Sequence, residues 1–270
     1  MLAPNGLYLM RDFRFLDDDA TVVFYDVRNR GRSDAVTDPS KLARGIEQDV
    51  DDLDAVRRHF GVDPVDLIGH SYIGLMVGLY AIRYPAHARR VVQLAPEKPD
   101  AAKQYPPELA YVDRTFVETM AELARMLNAP ADPALNPEAA CRKFWSVLRA
   151  IYVANPADAE RMDWGRCDLP NERNFMHYWM GHLAPSIERL RLTAKDFAQA
   201  TAPVLIVHGT KDRNAPYGGA WDWAACLPNA RLLTVLNAAH APWIEAPELV
   251  FGSIRAFLEG AWPGAAERPS

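Results

Sequence analysis

The run Asp66-Leu67-Ile68-Gly69-His70-Ser71-Tyr72-Ile73-Gly74-Leu75 turns a short apolar strand sharply into a helix, with a serine at the bend. A hydroxyl at such a turn is pushed into solvent, at the positive end of the helix that follows. There it can attack a carbonyl, and the N–H of Tyr72 can hold the developing oxyanion. Two downstream segments strengthen the reading. Val204-Leu205-Ile206-Val207-His208-Gly209 has the apolar run of a buried strand, with Asp212 in the loop after it. Arg231 to Leu236 forms the next strand, and Asn237-Ala238-Ala239-His240 follows. Ser71, Asp212 and His240 thus come in that order, each just past the C-terminal end of a strand.

The types match the chemistry. A serine hydroxyl is inert at neutral pH without a base, and an imidazole, which ordinarily titrates near ~6.5, can take and return its proton. Ser71, His240 and Asp212 are of the types that this chemistry asks for. The other histidines offer less. His208 lies at a strand end in the acid loop and is expected to be structural, His59 and His87 sit at helix margins, and His177 and His182 are five apart, off the i, i+4 spacing of a metal pair. His70, beside the serine, either shapes the pocket or packs.

Length and composition narrow the class. A chain of 270 residues, 49% hydrophobic, suits one large core or a core with an inserted lid. A net charge of −5 with scattered Arg and Lys supplies no basic face for nucleic acid or anionic lipid. No apolar run approaches the roughly 20 residues that span a bilayer, and the first residues do not read as a secretion signal. Cys141, Cys167 and Cys226 are odd in number and widely spaced, so they are expected to be packing residues in a reducing cytoplasm.

Along the chain, Thr21 to Tyr25 reads as a strand after an Asp17-Asp18-Asp19 turn. Lys41 to Phe60 is an amphipathic helix ended by Gly61, Ile73 to Tyr84 an apolar helix, and Arg90 to Leu94 another strand. From Glu97 to about Ala200 helical periods replace strands, with many prolines and large aromatics, and Ala129 to Pro137 reads as a loop. Strand–loop–helix alternation then resumes. The expected layout is an α/β core in residues 1–96 and 201–270, interrupted by a helical cap in residues 97–200.

With these pieces placed, the chain resembles α/β-hydrolase-fold enzymes, in particular the lidded subgroup that includes prolyl aminopeptidases. The segment Asp26-Val27-Arg28-Asn29-Arg30-Gly31-Arg32-Ser33-Asp34 is similar to that family's Asp-x-Arg-Gly-x-Gly-x-Ser loop. His208-Gly209-Thr210-Lys211-Asp212 is similar to its acid loop, and His240-Ala241-Pro242-Trp243-Ile244-Glu245-Ala246-Pro247-Glu248 to the segment around its catalytic histidine. The resemblance implies a mostly parallel sheet flanked by helices with an inserted helical cap. It also implies a serine hydrolase that needs no cofactor or metal and takes a small-molecule substrate, with Ser71 as the nucleophile, His240 as the base and then the acid, and Asp212 as the group that orients the imidazole. Candidate substrate-contact residues are His70, Tyr178, Trp179 and Trp243.

Three departures from the pattern shape the expectation. Ile73 stands where the family has a glycine two residues after the nucleophile, so Gly74 is left to permit close helix–strand approach. Tyr178-Trp179 is followed by Met180-Gly181, with no carboxylate to bind a free amine, leaving Glu172 and Glu188 as candidates. The family's His-Gly segment, with its strand and second oxyanion donor, is absent: nothing from Met1 to Asp19 reads as that strand, and Leu7 to Phe15 looks like the helix after it. The N-terminal strands are therefore expected to be missing, with Met1 a wrong start or the chain a fragment; otherwise the flanking strands close up, or a residue near Met1 to Asn5 fills the gap. The expected reaction is hydrolysis of a small ester, amide or short peptide through an acyl-enzyme. Alternatives are a prolyl-aminopeptidase-like peptidase, a carbon–carbon bond hydrolase, and a non-catalytic ligand receptor or truncated pseudoenzyme.

Overall fold

A computed structural model describes residues 1–269 except 5–8, 19–20, 129–135, 163–166, 170, 172–174 and 176. Seven strands form one sheet: β1 (Leu2–Pro4), β2 (Val23–Tyr25), β3 (Val65–His70), β4 (Ala88–Leu94), β5 (Val204–Gly209), β6 (Ala230–Val235) and β7 (Ala266–Glu267). Their order is β2-β1-β3-β4-β5-β6-β7. All pairs are parallel except β7, which runs antiparallel to β6. β3 and β5 are buried along their whole length, so neither shows the apolar–polar alternation of a half-exposed strand.

The start of the chain corrects one expectation. Leu2 to Pro4 pair with Val23 to Tyr25, and Leu2 also pairs with Leu67. The Met1 ammonium donates to the Thr21 carbonyl at 2.9 Å, and Val23 N–H donates to the Met1 carbonyl at 2.9 Å. The strand between β2 and β3 is therefore present, built from the first residues, and β2 and β3 are second neighbours as expected. Three residues ending in proline are too few to show a two-residue period, so pattern reading passed over them. The helix expected over Leu7 to Phe15 is shorter, α1 (Leu9–Asp12), followed by a 3-10 turn at Arg14–Asp18.

The helix α2 (Ile46–His59) buries Ile46, Val50 and Leu53 against the sheet, and Gly61, at φ 64°, takes the left-handed position beyond its end. The helix α3 (Tyr72–Arg83) is buried from Tyr72 through Ile82. Its start is crowded. A Cβ at Gly69 would come within 2.4 Å of the Ile73 carbonyl oxygen, and one at Gly74 within 3.0 Å of Pro96 Cα. The small residues the turn demands are thus Gly69 and Gly74, and Ile73 packs fully buried.

Between β4 and β5 the described residues contain helices and no strand: α4 (Arg114–Asn128), α5 (Pro137–Leu148), a π-helical turn at Trp179–Leu183, and short helices at Ala184–Glu188 and Ala194–Phe197. The loop expected at Ala129 to Pro137 lies largely outside the described residues; at its end Asn136 caps α5 through the Ala139 N–H. Cys141 and Cys167 form a disulfide, while Cys226 is free and exposed. That overturns the expectation of three packing cysteines, and with it the argument for a reducing compartment. No helix among the described residues is long and apolar enough to cross a membrane.

Candidate active site

Ser71 occupies the one residue between β3 and α3, with φ 60° and ψ −127°. A non-glycine residue there costs on the order of 1–3 kcal/mol, and the surrounding hydrogen bonds hold it. Ser71 N–H donates to the Leu94 carbonyl at 2.9 Å, and its own carbonyl accepts from Leu75 N–H at 3.1 Å and Glu97 N–H at 3.2 Å. Its side chain does not cap α3, so the hydroxyl is left for other work. Tyr72 begins α3, and its N–H is among those a helix start cannot satisfy internally. The chain leaving β1, where a second oxyanion donor would stand, runs into residues 5–8, outside the described residues.

Asp212, in the loop after β5, is buried and its carboxylate is saturated. Oδ1 accepts from Asn214 N–H at 2.7 Å and Ala215 N–H at 2.9 Å. Oδ2 accepts from His240 Nδ1 at 2.7 Å and lies 2.9 Å from His208 Nε2. Burial pushes this carboxyl up, but His240 and His208 beside it outweigh burial and hold it well below the usual carboxylate range. With Nδ1–H given to Asp212, the other nitrogen of His240 carries the lone pair. That Nε2 is buried and has no hydrogen-bond partner among the described residues. The arrangement can accept a proton and return it.

His70 sits beneath His240. Its Nε2 donates to the His240 carbonyl at 2.9 Å, and its ring lies 4.5 Å from that of His240 and 4.8 Å from that of Trp243. Burial, reinforced by His240, pushes His70 well below the usual imidazole range, so the ring stays neutral. Trp243 Nε1 donates to Asp12 at 2.9 Å and packs on Phe13, tying α1 to the histidine loop. Tyr178 faces α2, with its hydroxyl 2.7 Å from Asp49 and 3.1 Å from the Gly45 carbonyl. His70 Nε2, Trp243 Nε1 and the Tyr178 hydroxyl are thus engaged with internal partners. Trp179 differs. It is half-buried, edge-on to Tyr72 at 5.3 Å, and with Phe175 it walls the start of α3 beside Ser71. Of the two carboxylates considered for an amine, Glu188 is exposed at a helix end and Glu172 lies outside the described residues.

Sequence reading passed over several residues that frame the site. Tyr152 stands edge-on to the His240 ring at 4.7 Å. Glu245 accepts from Ala154 and Asn155 N–H through one oxygen and from Ala239 N–H through the other, joining the helical segment to the histidine loop. Arg213 makes a two-pronged ion pair with Asp113, at 2.9 and 2.7 Å, and donates to the Val153 carbonyl. Glu97 is half-buried in the turn that holds Ser71; burial, with Asp212 adding to it and His240 opposing, raises its carboxyl. The available signal was adjacency: Arg213 follows Asp212, and Glu245 lies five residues after His240. Among the described residues no three His, Cys, Asp or Glu side chains converge as a metal site.

Comparison with known proteins agrees with this layout. The family model described as alpha/beta hydrolase fold matches residues 8–247. The proline iminopeptidase PfmaB of Pestalotiopsis fici is 27% identical over 256 residues, 92% of this chain and 84% of its own. The 2-hydroxy-6-oxo-6-phenylhexa-2,4-dienoate hydrolase of a Rhodococcus species superposes with a TM-score of 0.70 at 17% identity, over 96% of this chain and 90% of that one. A thermophilic esterase from Thermogutta terrifontis superposes with a TM-score of 0.65 at 16% identity, over 96% and 88%. These two solved structures share the fold.

Proposed function

From the premise that this chain belongs to the alpha/beta hydrolase fold family, we propose that it is a serine hydrolase that acts on a small-molecule ester, amide or short peptide through an acyl-enzyme on Ser71. His240 takes the Ser71 proton through Nε2 and returns it to the leaving group. Asp212 holds the imidazole in the Nδ1–H tautomer and stabilises it once charged. Tyr72 N–H supplies one oxyanion donor. The observation that carries this reading is the Asp212–His240 hydrogen bond at 2.7 Å, with the opposite nitrogen of His240 buried and unpartnered. A buried nitrogen in that state is costly unless a partner arrives, and a nucleophile's proton is such a partner.

Within this class we favour simple esters of short or aromatic acids over aminoacyl amides. The wall of Tyr72, Phe175 and Trp179 offers apolar contact area, whereas exposed Glu188 gives no buried counter-charge for an ammonium. The iminopeptidase relative keeps the peptidase reading open as the second one, and the same residues also suit hydrolysis of a carbon–carbon bond beside a ketone. Initial rates on p-nitrophenyl esters and on prolyl and other aminoacyl p-nitroanilides separate the first two. Faster cleavage of prolyl anilides than of esters would overturn the preference.

A further inference from the structure

We propose that His208 is a positioning residue for this site: its Nε2–H clamps the acid loop and holds the Asp212 carboxylate in the orientation that His240 needs. The His208 ring is fully buried at the end of β5. Its Nε2 lies 3.1 Å from the Ala215 carbonyl and 2.9 Å from Asp212 Oδ2. Both neighbours are acceptors, so Nε2 carries the proton; it donates to the Ala215 carbonyl, with the Asp212 carboxylate at ion-pair distance beside it. Nδ1 is buried with no partner among the described residues, so the ring presents one N–H, aimed at the acid loop.

The clamp is closed on both sides. Ala215 accepts from His208 through its carbonyl while its N–H donates to Asp212 Oδ1 at 2.9 Å. The ring cannot swing away, because it packs edge-on to Tyr217 at 5.9 Å, and the Tyr217 hydroxyl is joined at 2.6 Å to Thr234, the residue opposite His208 on β6. Asp212 Oδ2 thus sits between two imidazoles, His240 at 2.7 Å and His208 at 2.9 Å. Without His208, that oxygen would keep one side-chain neighbour and the loop would lose its anchor. Oδ1 would keep its two N–H donors, but Oδ2 would be held less firmly against the base, and the loss falls on the transition state, where the imidazolium forms.

The inference rests on the serine-hydrolase reading, whose own failure would show as a wild-type protein without turnover. The test compares His208→Met with His208→Gln, two side chains of similar length that differ in having an N–H to donate. The Met variant should lose roughly 2- to 10-fold in kcat, the range that one neutral hydrogen bond corresponds to, with little change in KM. The Gln variant should recover most of that loss. Equal rates in the two variants, or a loss confined to KM, would overturn the proposal. So would a Met variant that fails to fold beside a folded Gln variant, since the donor would then serve stability alone. Nitrogen-15 spectra of histidine-labelled wild-type protein, which need no substrate, should show His208 as the Nε2–H tautomer. The Nδ1–H tautomer would overturn the proposal whatever the variants do.

Discussion

His70 Nε2 donates to the backbone carbonyl of His240 at 2.9 Å, 170 residues away in sequence. Because His70 immediately precedes Ser71, one hydrogen bond ties the strand that delivers the serine to the loop that delivers the histidine. His70→Phe keeps an aromatic ring in the stack with Trp243 and Tyr152 but removes the donor. The His240 carbonyl would be left buried without that partner, at about 1–3 kcal/mol. Urea denaturation should show a loss of that order, and kcat should fall because the histidine loop is held less firmly. Unchanged stability and kcat would mean that the bond positions nothing.

Asp49 provides a pH signature independent of catalysis. Burial raises its carboxyl from the usual 3.8 to about 8, against the opposing bond from Tyr178. The folded state therefore binds a proton more tightly than the unfolded chain. The stabilisation is complete below about pH 4 and is lost as pH rises through about 8. Asp49→Asn keeps an acceptor for Tyr178 and cannot ionise. Relative to wild type it should be more stable at pH 9 than at pH 5, as read by thermal unfolding across that range. A stability difference that does not vary with pH would contradict this account.

The Cys141–Cys167 disulfide joins α5 to the chain 26 residues further on. Closing a loop of that length contributes about 2–4 kcal/mol through the unfolded state. In a Cys226→Ser background, which removes the exposed thiol, dithiothreitol should lower the unfolding temperature. The Cys141→Ser/Cys167→Ser variant should start at that lower temperature and not respond. A reductant-insensitive parent would contradict the bond.

What could be read from the sequence follows from the range of the interactions concerned. The β3–Ser71–α3 turn is local, and its apolar strand, glycines and apolar helix lie within twenty residues of one another, so a pattern identifies it. Asp212 and His240 follow the ends of β5 and β6, and the apolar run Val204 to Val207 that opens β5 marks a buried parallel strand. β1 was invisible because it has three residues and a proline, and its pairing with Val23 and Leu67 is tertiary. The disulfide was invisible because two cysteines 26 apart carry no spacing signature. Tyr178 and Trp179 are adjacent yet point to different partners, Asp49 and Tyr72, 129 and 107 residues away. Only the path of the chain decides which of them meets the site.

The central claim is that Ser71 is the nucleophile, and covalent capture tests it most directly. Incubation with a fluorophosphonate should add one adduct per chain in the intact mass spectrum, and peptide mapping should place it on Ser71. Ser71→Ala should take up no label and lose on the order of 10⁴-fold or more in turnover, since the three residues act as a unit. Labelling at another residue, or turnover that survives in Ser71→Ala, would contradict the account.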